Sequence, residues 1–190
     1  YKMKNKKIII TFLILIVLCV GVFTYLKLIH NKKNEADIMP EEEISDEQFR
    51  KTMVSLYYKN KNNNELMPEV RLIDVNLLIN EPYVTILNLL MESPKNDNLQ
   101  CVIPEGTKIN KIELKSDILW IDLSEEFIDD HPGGLEEEKN TIYSIVNTLT
   151  ELTEVNGVKI LIDNEENKSF NDNNIKFNEA FFKIDNDSEI

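Results

Sequence analysis

The chain has 190 residues, 34 acidic against 21 basic, and a formal net charge of −13, a length that allows one domain or at most two small ones. The charge is unevenly spread: the first 34 residues hold seven Lys and no Asp or Glu, leaving 14 basic against 34 acidic residues and a net charge of −20 in residues 35–190. A surface that acidic repels phosphate backbones and excludes nucleic acid as a partner class.

Residues 1–7 are basic and are expected to be cytoplasmic. Ile8 to Leu26 follows with no charged residue. As a helix at ~1.5 Å per residue this run reaches about 28 Å, close to the hydrocarbon thickness of a bilayer. Lys flanks it on both sides, and Tyr25 sits near one end, where an amphipathic ring prefers the interface. The reading is a single-pass anchor over residues 8–29, N-terminus inside and the remainder extracytoplasmic. A cleaved signal peptide would need a small-residue cleavage site, which this run lacks. Cys19 is the sole candidate for lipidation, but the bulky Leu18 precedes it where such signals want a small residue. With only Cys19 and Cys101 in the chain, a disulfide framework is excluded.

Residues 30–51 are polar and charged, with Pro40 and the Glu41–Glu42–Glu43 run, and read as a linker. Thr52–Lys59 alternates and is rich in β-formers, which predicts a strand. Asn60–Glu65 is a turn. Glu69–Asn76 alternates and predicts a second strand, with Val70, Leu72 and Asp74 on one face. Pro82 opens a helix that Pro94 stops, apolar over most of its circumference. Thr107–Lys115 and Ile118–Leu123 predict two strands joined at Ser116–Asp117. In the second of these, Leu119, Ile121 and Leu123 share one face, and Ile118, Trp120 and Asp122 the other; Trp120 is expected in the core. Ser124 is expected to cap a short helix.

After the His131–Pro132–Gly133–Gly134 break, Leu135–Thr153 carries a helical stripe of Leu135, Ile142, Ile145, Val146, Leu149 and Leu152. Glu136, Glu137 and Glu138 are expected to face away from it. Val158–Asp163 predicts a last strand. Residues 171–190 are Asn- and Asp-rich and are expected to form a flexible tail, with Phe177, Phe181, Phe182 and Ile184 a short apolar stretch able to dock but not enough to force structure alone. The order β-β-α-β-β-α-β predicts an α+β fold, a two-layer mixed sheet with two helices, over residues 52–170.

Chemistry is sparse. No dinucleotide fingerprint, P-loop, zincin or nucleophile-elbow motif occurs. Asp129–Asp130–His131 is the one cluster suggesting a general base or hydrated metal, and reads as a solvated loop after a helix end. Asp122, Glu125 and Glu126 suggest paired carboxylates for glycoside chemistry, but acids at a helix start serve more simply as dipole partners. The tail acids lack the Gly and closing Glu of a calcium loop. Cys101, beside Val102 and Ile103, reads as a packed thiol. No catalytic, cofactor-binding or metal-ligating residue is assigned, no cofactor is expected, and the chain is expected not to be an enzyme.

Several stretches occur together in a specific order: Val54–Asn60 (VSLYYKN), Leu89–Pro94 (LLMESP), Ile103–Lys108 (IPEGTK), Trp120–Phe127 (WIDLSEEF), Ile145–Glu151 (IVNTLTE) and Val155–Asp163 (VNGVKILID). This succession resembles the GerMN domain family of sporulation and spore-germination proteins. The resemblance implies a membrane-tethered extracytoplasmic domain in a Gram-positive envelope, similar to ring-building modules that stack through sheet and helix faces. It also implies partners among envelope and sporulation membrane proteins, self-association into a homo-oligomer, and no catalytic residues to carry over. A cell-wall or polysaccharide-binding accessory domain is the alternative reading.

Overall fold

The computed structural model describes residues 18, 20–27 and 50–183. The chain divides into two compact units, 1–45 and 46–190. In the first unit, residues 20–27 are helical, and Thr24 Oγ1 donates back to the carbonyls of Val20 and Gly21 at 3.0 and 2.9 Å. Among the described residues no helix is long and apolar enough to cross a membrane. Most of the run read as an anchor over 8–29 lies outside the described residues, as does Cys19.

The second unit contains β1 (Lys51–Asn60), β2 (Leu66–Asp74), α1 (Asn76–Asn80), α2 (Pro82–Met91), β3 (Leu99–Gln100) and β4 (Ile109–Lys115). It continues with β5 (Ile118–Leu123), α3 (Glu126–Asp129), α4 (Leu135–Leu149), β6 (Gly157–Ile162) and β7 (Phe181–Phe182). The five expected strands and both expected helices are present. α3 is the short helix expected after Ser124; two short strands and one further short helix, α1, add to these, and the single expected sheet is two: β2-β1-β3 and β4-β5-β6-β7. Every pairing is antiparallel except β5 with β6, which α3 and α4 join as a crossover. Short elements such as β3 and β7 have too few residues to show a period, which is why a pattern search passes over them.

The β4–β5 turn places Ser116 at φ 60°, a conformation that glycine reaches without strain and serine does not. Asp117 holds the turn: its carbonyl accepts from Asn156 N at 2.8 Å, and its carboxylate accepts from Asn156 Nδ2 at 2.8 Å.

One core serves the unit. Leu56 and Tyr58 of β1, Ile86, Leu87 and Leu90 of α2, and Leu119, Ile121 and Leu123 of β5 are buried in it. Ile142, Ile145, Val146 and Leu149 of α4 close over them, the stripe read from helical spacing. Leu135, placed on that stripe, is 48 % exposed, at the first residue of the helix.

α4 also seals an open strand edge. Ser144 Oγ donates to the Tyr57 carbonyl at 2.6 Å, and Tyr57 N donates to Thr148 Oγ1 at 2.9 Å. Two hydroxyls one helical turn apart therefore satisfy the backbone of β1 where no strand pairs with it.

The packing decides which face of β2 is buried and corrects two expectations. In β2 the inner face carries Arg71 and Ile73, while Val70 and Leu72 stand 58 % and 66 % exposed. Glu138, expected on the solvent face of α4, is fully buried, and Glu137 pairs with the buried Lys59. The segment from 171, expected as a flexible tail, is described as far as Lys183, buries Phe177 completely and pairs β7 with β6.

Two buried charges hold that segment. Glu138 accepts from Asn174 Nδ2 and Ile175 N, both at 3.1 Å. Lys159 Nζ donates to the Phe177 carbonyl at 2.7 Å. Phe170 and Phe177 then pack on Phe127, with ring centroids 5.5 and 6.1 Å away.

Candidate functional site

Asp122, Glu125 and Glu126 each have a structural partner, while Asp129 and Asp130 are exposed at the end of α3. Asp122 Oδ1 accepts from Asn164 N at 2.8 Å. Glu125 pairs with Lys168 at 3.4 Å and Glu126 with Lys108 at 3.7 Å. A hydrogen bond with Ser124, first, holds the Glu126 carboxyl below its ordinary value. Ser124 does not cap α3 as expected; its Oγ accepts from Lys108 N at 2.9 Å.

His131 is locked rather than available. Its Nδ1 accepts from Gly133 N at 3.0 Å, which leaves Nε2 as the protonated nitrogen facing Thr141 Oγ1 at 3.0 Å. Thr141 in turn donates to the Val102 carbonyl at 2.9 Å. Phe170 covers the ring at 4.3 Å between centroids. Burial pushes the imidazole below its ordinary pKa, against the pull of Glu138, Glu137 and Asp172. Both ring nitrogens are thus engaged in fixing a loop, and the neutral form suits the contacts. Burial likewise pushes the Cys101 thiol up, and its Sγ lies 3.4 Å from the Leu90 carbonyl, an environment that disfavours the nucleophilic thiolate. Asp185 and Asp187 lie outside the described residues. Among the described residues no group of three or more His, Cys, Asp or Glu is arranged to hold a metal ion.

What the unit offers instead is surface. The outward side of the first sheet carries Met53 at 71 % exposure directly across from Leu72, with Val70 two residues along. Nothing among the described residues covers these three. The β2 edge beside them is unpaired. The register puts the N position of Pro68 toward that edge, where its missing donor disturbs no ladder bond.

On the outward side of the second sheet lies a shallow depression floored by Trp120 and Leu161, with Lys111, Glu113, Lys115 and Asp122 around it. Trp120 is part-buried here, not in the core, since β5 sends Leu119, Ile121 and Leu123 inward. Lys115 Nζ sits 3.9 Å from the Trp120 ring centroid.

These features define a small α+β module whose distinguishing parts are exposed faces on a firmly held core. The chain belongs to the Germane family, described as sporulation and spore germination, which it matches over residues 55–168. Among solved structures it is similar to the tandem GerMN domains of the sporulation protein GerM from Bacillus subtilis, with a TM-score of 0.60 at 19 % identity. That match covers 76 % of this chain and 50 % of the other, so this chain spans half the length of the tandem structure. The first GerMN domain of the same protein matches with a TM-score of 0.51 at 20 % identity, covering 60 % of this chain and 84 % of that one. At these identities the likeness establishes the fold. No curated protein sequence matches the chain significantly.

Proposed function

We propose that this chain is a membrane-tethered extracytoplasmic interaction module that assembles or stabilises an envelope complex during spore formation or germination, without catalysing a reaction. Family membership over residues 55–168 supports the sporulation and germination setting. The uncharged run Ile8–Leu26 supports the tether. The observation that carries the interaction role is the exposed Met53–Leu72–Val70 face beside an unpaired strand edge. Contiguous apolar surface of this kind mostly marks a protein contact. The partners would be envelope and sporulation membrane proteins, with self-association included.

The roles of Asp122, Glu125 and His131 in ion pairs and loop fixation support the non-catalytic part. Deletion of the gene is expected to reduce spore yield or germination, and complementation with Leu72→Asp is expected to fail while the protein accumulates normally. Full complementation by the Asp variant would remove the proposed face. Recovery of the full chain from the soluble fraction, with none in membranes, would remove the tether.

A further inference from the structure

The Trp120 depression has the chemistry of a ligand site in its own right. Trp120 lies on β5, the second strand of a four-stranded sheet, and points away from the core. The register sets Glu113 across from it on one side and Lys159 on the other. Asp122, next on the same face, stands across from Lys111 and Leu161. Asn164 borders the same hollow, its backbone fixed to Asp122 at 2.8 Å.

Charge decides the ligand class. Lys159 is buried with its ammonium turned to the Phe177 carbonyl and does not line the hollow; in the lining itself Lys111 and Lys115 balance Glu113 and Asp122, in a chain whose net charge is −13. An anion finds no net attraction there and is repelled by the rest of the surface. A metal ion finds Glu113 already paired with Lys111 at 2.9 Å and Lys115 at 3.9 Å, and Asp122 already accepting from Asn164 N at 2.8 Å. What remains is an aromatic floor edged by both donors and acceptors, the arrangement that recognises an uncharged, hydroxyl-rich ring: apolar C–H face against the indole, hydroxyls to the charged rim.

The hollow, about 50 Å³, is too small to swallow a sugar ring and fits one ring substituent while the ring lies across the indole. Its shallowness suits a chain that passes over it. Lys115 Nζ lies over the ring face, and an exposed cation–π contact is weak enough to be exchanged for a stacked sugar. The geometry points to Trp120 as the platform of a binding site for a neutral glycan chain. This site stands apart from the Met53–Leu72 face and does not require the complex-assembly reading.

Trp120 is the sole Trp of the chain, so its emission reports the site directly. The full chain, kept in a detergent without a sugar headgroup, is titrated with the soluble tetramer of β-linked N-acetylglucosamine. The expected result is a saturable shift in emission, matched by calorimetry. A sulfated oligosaccharide of similar length is expected to bind more weakly. By calorimetry, Trp120→Leu is expected to weaken binding about tenfold or more. Asp122→Asn, which keeps an acceptor for Asn164 N, guards against a Trp120→Leu variant that fails to fold and is expected to weaken binding as well. No emission change up to the solubility limit of the tetramer, or equal affinity in Asp122→Asn, would overturn the site. So would tighter binding of the sulfated oligosaccharide, or an emission change produced by a protein partner and not by glycan.

Discussion

Arg71 on β2 donates from Nη2 to the hydroxyl of Tyr58 on β1 at 3.0 Å, in the interior of the unit. That hydroxyl then faces the Leu89 carbonyl at 2.9 Å. The same guanidinium donates to the Ser93 carbonyl and to the carboxylates of Glu69 and Glu92, each at 2.9 Å. Glu69 completes the set by accepting from Lys95 N and Asn96 N at 2.8 and 2.9 Å. A positive side chain thereby caps the C-terminus of α2 and anchors the turn that follows it to two strands. Burial alone would push the Glu69 carboxyl up; the N–H of Asn96 and the Arg71 guanidinium draw it below its ordinary value.

Removing one member of such a network leaves the others buried without partners. Arg71→Ala is expected to destabilise the unit by about 3–5 kcal/mol, and Tyr58→Phe by about 1–2 kcal/mol. Denaturant unfolding of the single and double variants gives the coupling between them. Strict additivity would show that the two side chains do not act together.

The segment 165–183 is held from inside the unit by charge as well as by rings. Glu138→Gln keeps one acceptor oxygen but sets its N–H₂ against one of the two donors, Asn174 Nδ2 or Ile175 N, and is expected to cost about 1–3 kcal/mol. Phe177→Ala, which empties a fully buried ring site, is expected to cost about 3–5 kcal/mol. Limited proteolysis reads the result, with cleavage after residue 165 appearing well before cleavage of the sheets. Protease resistance equal to the parent in both variants would show that the segment contributes nothing to the core.

His131 makes stability depend on pH. Its folded pKa lies below the ordinary value because burial disfavours the charged ring. The unfolded chain therefore binds the proton more readily, and stability rises with pH across the window between the folded value and about 6.5. The contribution is complete above that window and lost as pH falls through the folded value. Comparison of unfolding midpoints for the parent and His131→Gln across that range is expected to show a steeper acid loss in the parent. Parallel curves would place the titration elsewhere.

Leu149 is fully buried on α4. Leu149→Asp sets a charge in that interior and is expected to unfold the unit. A soluble, folded Leu149→Asp protein with a native circular dichroism spectrum would contradict the placement of α4 over both sheets.

Sequence alone went a long way with β1, α2, β5, α4 and β6. The strands and α4 repeat at strand or helix spacing, and α2 is bracketed by Pro82 and Pro94; spacing and proline punctuation are both local properties fixed by backbone geometry. The ordered stretches that mark the family were equally readable.

The inner face of β2 was not readable in this way. Val70 and Leu72 are the apolar pair by composition, yet Arg71 and Ile73 point inward. Hydropathy scores a guanidinium as a surface group. Only the carbonyls at the end of α2, the Tyr58 hydroxyl and two carboxylates, brought together by folding, make its burial favourable. The fates of Glu138, Lys159, Phe177 and Trp120 were decided the same way. Each depends on partners distant in the chain, and a charge or ring is placed by the sum of its contacts, which no local pattern contains.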